Sequence, residues 1–273
     1  MTAEAAPAES DYPILRPFRL IGRTVLAAFR EVGRISVFSA RVLAACVTPV
    51  IYVREFLRQC LRIGYYSLPV VGLTAVFIGA ALALNIYNAG SRFNAEQFLP
   101  NIVVLGIARE LGPVLAGLML AGRVSAGIAA EIGAMRVTEQ IDALLTLSAK
   151  PERYLYAPRV LAATLTLPLL VLVADTIGVM GGYLVSVNSL DFNGAIYLKN
   201  TWAFVTGADI WSGVIKAAFF GAIIALMGCY QGDRSKGGAG GVGRAATLAV
   251  VGAAVLILAS NYVITSIFSV IGF

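Results

Sequence analysis

Four ionisable residues stand where ionisable residues are costly. Arg109, Glu110, Asp175 and Lys216 each fall inside a long hydrophobic run. In hydrocarbon such groups face a bundle interior or a water-filled cavity and seek one another as partners. Two uses fit them equally: a polar lining or latch along a substrate path, and a structural ion pair between helices. Glu110 and Lys216 are the pair expected to meet. Glu110 lies ten residues into the run 101–122, and Lys216 seven residues into the run 210–230, counted from the same side. At about 1.5 Å per residue their depths differ by about 4–5 Å, within reach of two long side chains. Arg109 is adjacent to Glu110, so it points elsewhere on the helix and is the poorer internal partner.

Other chemistries are excluded by residues the chain lacks. It has no histidine, which removes Ser-His-Asp and Cys-His catalysis and histidine-ligated metals. Cys46, Cys60 and Cys229 are scattered without C-x-x-C spacing, so neither a disulfide framework nor a metal site is indicated. Leu43-Ala44-Ala45-Cys46 imitates a lipoprotein cleavage site, but Arg34 and Arg41 interrupt the apolar stretch it would need. Gly238, Gly240 and Gly243 satisfy G-x-G-x-x-G, yet they follow an apolar run rather than a strand and read as a flexible turn. No G-x-x-x-x-G-K-[ST] occurs, so the chain is expected to be no ATPase and to hold no cofactor of its own.

The elements that must position these residues follow from composition. Of 273 residues 59% are hydrophobic and 13% charged, against about 25% charged in soluble domains. The expected fold is all-α and polytopic. A membrane span needs about 20 apolar residues, and five runs qualify: 64–87, 101–122, 160–187, 210–230 and 245–271. The second is expected to continue as helix past Arg123 toward Met135. Before them, residues 1–15 are Ala, Pro and Glu rich and read as disordered. Residues 16–62 form a basic amphipathic region, interrupted by Pro49. Arg16, Arg19, Arg23, Arg30, Arg34 and Arg41 fall within about 60° of one another on a helical wheel, an arrangement suited to the headgroup layer. Residues 63–273 then form the membrane domain. The net charge of +6 has a membrane explanation rather than a nucleic-acid one: sixteen of the 21 Lys and Arg residues lie in the N-terminal region, 131–159 and 231–244. The positive-inside rule puts those segments in the cytoplasm and the C-terminus outside.

Small residues recur every four positions in the second run, as Gly117-Ala121-Ser125 and from Gly122 onward, and Gly178 and Gly182 repeat the interval in the third. Such rows let helices approach closely in lipid. Between those two runs, Glu131 to Lys150 is polar with apolar residues at helical intervals, stopped by Pro151. An amphipathic helix held between two spans is either a docking element or an ordinary cytoplasmic loop.

The stretches A-R-E-L-G-P-V-L-A-G-L, A-G-R-V-S-A-G-I-A-A-E-I-G-A-M-R-V-T-E-Q-I-D-A-L, Y-L-Y-A-P-R-V-L-A and G-G-A-G-G-V-G-R-A-A-T resemble the MlaE family of ABC-transporter permeases over roughly residues 50–273. The resemblance implies a bacterial inner-membrane permease of a Mla or Mce lipid transport system, moving phospholipid between that membrane and a periplasmic MCE-domain protein. It further implies a homodimer, cytoplasmic ATPase subunits that hold the ATP and Mg, and in many systems a STAS-domain protein. It places the coupling helix on Met135 to Leu147, with Glu131, Met135, Arg136, Thr138, Glu139, Gln140, Asp142 and Leu145 as the ATPase-facing set. Two other classes compete with this reading. A proton-coupled secondary transporter would use Glu110 or Asp175 as carrier, but the internal repeats common to such proteins are not visible. A non-transporting membrane scaffold would use 131–150 for docking alone.

The distribution of cations generates a direct test. In a cysteine-free background, a cysteine at position 140 should react only from the cytoplasmic side and one at 195 only from the opposite side. Labelling of position 140 from outside would remove the ATPase contact altogether.

Overall fold

The computed structural model describes residues 16–47, 52–93 and 98–271, and among these every regular element is helical. The expectations for residues 1–15 and Pro49 fall outside them. Helix α1 (Arg16–Val47) carries the arginine series. Its residues up to Arg41 form a unit of their own, in which Arg23, Arg30, Arg34 and Arg41 are exposed and so are Val25, Leu26, Phe29 and Val32.

The second unit, from Val42 onward, holds five helical stretches long and apolar enough to cross a membrane: Val53–Gly90, Leu99–Val137, Glu152–Ser189, Gly207–Asp233 and Gly238–Ile271. The first consists of α2 (Val53–Ile63), a 3₁₀ turn at Tyr65–Ser67 and α3 (Leu68–Gly90). The second is a rod of α4 (Leu99–Gly106), α5 (Gly112–Leu120) and α6 (Ala126–Val137), joined by π turns at Ile107–Leu111 and Ala121–Ser125. After a short α7 (Gln140–Thr146) come α8 (Ala157–Ser189), α9 (Gly194–Phe204), α10 (Gly207–Asp233) and α11 (Gly238–Ile271). Helix α3 packs on α8, α8 on α10 and α10 on α11, while the rod lies against α8, α10 and α11.

The five stretches coincide with the five apolar runs, and each continues beyond its run at one or both ends. Three segments depart from the sequence reading. The 188–209 connection is not loop throughout: Asn193 caps α9 by accepting from the Ala195 and Ile196 amides at 3.0 and 3.2 Å. The turn expected over Gly237–Gly243 is confined to its start. Gly237 and Gly238 take positive φ of 85° and 69°, and the remaining glycines already belong to α11. The third departure is a break in 131–150. Glu139 adopts the left-handed conformation with φ 59°, ending the rod and starting α7, and Ser148 at φ 58° ends α7 in turn.

Glycines decide how closely the helices approach. A Cβ at Gly79 would collide with the Gly178 carbonyl, one at Gly181 with the Val76 carbonyl, and one at Gly221 with the Ala163 carbonyl. Gly117 sits against Phe220, and Gly182 against Val103 and the Gly79 carbonyl; Ala121 and Ser125 are fully buried. Gly122 is the exception in the expected row, because a Cβ there meets nothing within 4 Å. A bulky residue in one of these seams has no room. Gly79→Leu should destabilise the protein by at least about 1–3 kcal/mol, read as a lowered thermal midpoint in detergent, whereas Gly122→Ala should leave that midpoint unchanged.

Candidate functional site

The first polar cluster forms at the π turn of the rod. Pro113 has no amide hydrogen and cannot return one to the carbonyls of the turn before it. The Arg109 carbonyl instead accepts from Lys216 Nζ at 2.8 Å. The same ammonium pairs with Glu110 Oε1 at 2.7 Å. Lys216 is 1% exposed, so its charge depends on these two acceptors. Glu110 is the wetter partner, with its side chain 41% exposed. It also accepts from Asn261 Nδ2 and Thr265 Oγ1, both at 3.0 Å, which ties α11 to the rod. Alongside, Arg109 Nε meets Asp209 Oδ1 at 2.6 Å. The other Asp209 oxygen accepts from the Thr206 amide and hydroxyl at 2.9 and 2.7 Å and so caps α10. Arg109, Glu110, Ser212, Lys216 and Thr265 border a cavity of about 370 Å³.

The expected meeting of Glu110 with Lys216 is therefore present, and Arg109 turns to a separate acid. Asp175 does not join them. Its carboxyl lies against Gly112, where a Cβ would collide with it, and Oδ1 is buried with no hydrogen-bond partner among the described residues. Asn261, Thr265 and Asp209 went unread in the sequence. A lone Asn in the apolar run 245–271 was the available signal.

A second ionic cluster lies at the far end of the rod. Glu131 is twenty-one residues beyond Glu110, about 31 Å along a helix. Its Oε2 accepts from Arg62 Nη1 of α2 at 2.6 Å, and its Oε1 pairs with Arg159 Nη2 of α8 at 3.1 Å. Arg159 is buried and also donates to the Leu155 carbonyl at 2.7 Å. Glu131, which the family resemblance put in the ATPase-facing set, thus joins three helices. Nearby, Tyr156 Oη donates to Asp233 Oδ1 at 2.7 Å, linking the start of α8 to the end of α10.

The remaining members of the expected coupling set gather at the elbow between α6 and α7. Arg136 Nη1 donates to Asp142 Oδ1 at 2.7 Å across it, so these two charges engage each other. Thr138 Oγ1 donates to the Ala134 carbonyl at 2.9 Å and accepts from Gln140 Nε2 at 3.0 Å. Glu139 is exposed at the left-handed corner and Met135 is half-buried. Ile141 pins α7 to the protein at 2% exposure, while Leu145 and Leu147 project outward at 53% and 77%. Among the described residues no group of three or more metal-ligating side chains occurs.

Comparison with known proteins agrees with this architecture. Residues 56–267 match a family described as Permease MlaE. A probable ABC transporter permease protein of Rickettsia bellii is 52% identical over 248 residues, covering 91% of this chain and 96% of that protein. The intermembrane phospholipid transport system permease protein MlaE of Haemophilus influenzae is 31% identical over 252 residues, 90% of this chain and 95% of that one. The chloroplastic protein TRIGALACTOSYLDIACYLGLYCEROL 1 of Arabidopsis thaliana is 35% identical over 234 residues, 86% and 67% of the two.

The first cluster makes an asymmetric prediction. Glu110→Gln strands a buried ammonium and should cost several kcal/mol, about 3–5 at most given the exposure of Glu110. Adding Lys216→Met should recover part of that loss in a double-mutant cycle on thermal stability. Exchanging the two charges should recover less, because a carboxylate at 216 would face the Arg109 carbonyl oxygen. Additive single effects would mean that the pair carries no coupling.

Proposed function

The chain belongs to the MlaE permease family, and on that premise we propose that it is the membrane-spanning subunit of an ATP-driven transporter of phospholipid. The observation that carries this reading is the elbow. A short helix between two membrane-length stretches presents Leu145 and Leu147 outward from a corner clamped by Arg136 and Asp142. Exposed apolar residues on a braced element suit contact with another subunit. The chain itself has no P-loop, and in this reading the energy comes from such a subunit, a cytoplasmic ATPase. The biased cations orient the elbow, and with it the N-terminus, toward the cytoplasm of a bacterium, with the protein in the inner membrane.

Cargo follows from the other end of the rod. The cavity beside Glu110, Lys216 and Thr265 offers both signs of charge within one apolar bundle, which suits the headgroup of a phospholipid whose tails remain in hydrocarbon. That end faces the periplasm in this orientation, where a separate MCE-domain protein would exchange the lipid. A homodimer with two ATPase subunits, and a STAS-domain accessory, complete the assembly in this reading.

Reconstitution separates this function from its competitors. Proteoliposomes holding the chain and its copurifying subunits should transfer labelled phospholipid only when ATP is supplied. Leu145→Glu should reduce ATPase copurification and ATP-driven transfer by about tenfold or more while leaving the thermal midpoint of the chain unchanged. Transfer driven by a proton gradient without ATP would favour the secondary transporter instead, and absence of any transfer alongside normal subunit binding would favour the scaffold.

A further inference from the structure

The rod's second cluster borders a cleft that the proposed transport path does not use. Gln59, Arg62 and Ile63 of α2 form one wall, and Arg123, Gly127 and Glu131 of the rod stand on the other side of about 200 Å³. A Cβ at Gly127 would meet nothing within 4 Å, so that wall is open. Arg123 emerges from the π turn Ala121–Ser125. Its Nη1 donates to the Tyr66 carbonyl and to Ser67 Oγ, both within the 3₁₀ turn that joins α2 to α3. Arg62 gives Nη1 to Glu131. Each guanidinium has five N–H donors, so both retain donors beyond these contacts.

The charges in and behind the cleft do not cancel. Glu131 already has Arg159 as a buried partner behind it. Arg62, Arg123 and Arg159 against that one carboxylate leave two positive charges in excess. Paired guanidiniums are matched to phosphate oxygens in both charge and fork geometry. Depth supplies the second argument. Arg123 follows directly on the apolar run 101–122, so the cleft opens where the hydrocarbon layer ends. Tyr65 and Tyr66, both exposed and edge-to-face at 5.6 Å, sit beside the cleft. Tyrosine is enriched at the headgroup level of a bilayer.

We infer that the cleft between α2 and the rod binds the phosphate of a phospholipid from the leaflet on the α7 side, a site separate from the Glu110 cluster. Arg62 and Arg123 hold the phosphate, Arg159 keeps Glu131 neutralised behind it, and the acyl chains run along the exposed apolar surface of α3, where Val70, Leu73 and Phe77 project outward. The site rests on the membrane reading of the five stretches and not on ATP-driven transport.

A photolabelling experiment tests it. The full chain, with whatever subunits accompany it, is purified in dodecyl maltoside, which has no phosphate. It is titrated with phosphatidylglycerol carrying a diazirine next to the glycerol, and in parallel with the same-tailed diacylglycerol. Saturable labelling of peptides covering 59–66 and 123–131 is expected with the phospholipid and not with the diacylglycerol. Arg62→Gln, which leaves the Arg159–Glu131 pair in place, should raise the half-saturating concentration about tenfold. Arg92→Gln, at an exposed arginine after α3, should leave it unchanged. Equal labelling by diacylglycerol would reduce the cleft to a greasy groove and overturn the proposal. So would indifference to Arg62→Gln, or displacement by millimolar inorganic phosphate, which would make it a free-anion site. ATPase copurification in the same preparations is read separately, so failure here leaves the transporter assignment standing.

Discussion

A carbonyl oxygen inside hydrocarbon must find a hydrogen, and much of this molecule is arranged around one such oxygen. Pro113 denies an amide to the turn before it, and the Arg109 carbonyl is completed by a lysine from another helix. That lysine is buried and needs an anion, which Glu110 provides. Glu110 in turn holds α11 through Asn261 and Thr265. From that carbonyl a chain of contacts runs across the rod, α10 and α11. The cost of an unsatisfied polar group in lipid is several kcal/mol, which is why both the carbonyl and the buried ammonium have partners from neighbouring helices.

The same constraint explains what could be read from the amino acids alone. Apolar runs of about 20 residues are long-range averages, and all five located their helices. The Glu110–Lys216 pairing was legible because depth along a straight helix is a matter of counting. The elbow was not. Glu139 takes a left-handed backbone that glycine or asparagine would have advertised, whereas the periodicity of 131–150 runs through it unbroken. Asn261 and Thr265 are neutral, so a search for ionisable residues passes over them. The bracing role of Glu131 was not legible because both of its arginine partners come from distant parts of the chain.

Two ionic clusters on one rod therefore have different characters. Around Glu110 the groups are threaded through hydrogen bonds to neutral side chains and backbone, with a cavity alongside. Around Glu131 they brace three helices where the rod leaves the apolar layer and turns into α7. A displacement of α7 bears on this brace as well as on the buried Ile141, since α6 carries both the Arg136 side of the elbow and Glu131 itself.

The glycine seams restrict how such a displacement can spread. Where Gly79 faces the Gly178 carbonyl and Gly181 faces that of Val76, backbone lies on backbone. Sliding α3 along α8 by one helical turn would bring Val76 or Ala83 to the place of Gly79 against the Gly178 carbonyl, so translation is blocked in both directions. Pivoting about the line of contact meets no such obstacle. The pair behaves as a hinge with its pin fixed in height, and the work of moving one against the other goes into angle rather than into shear.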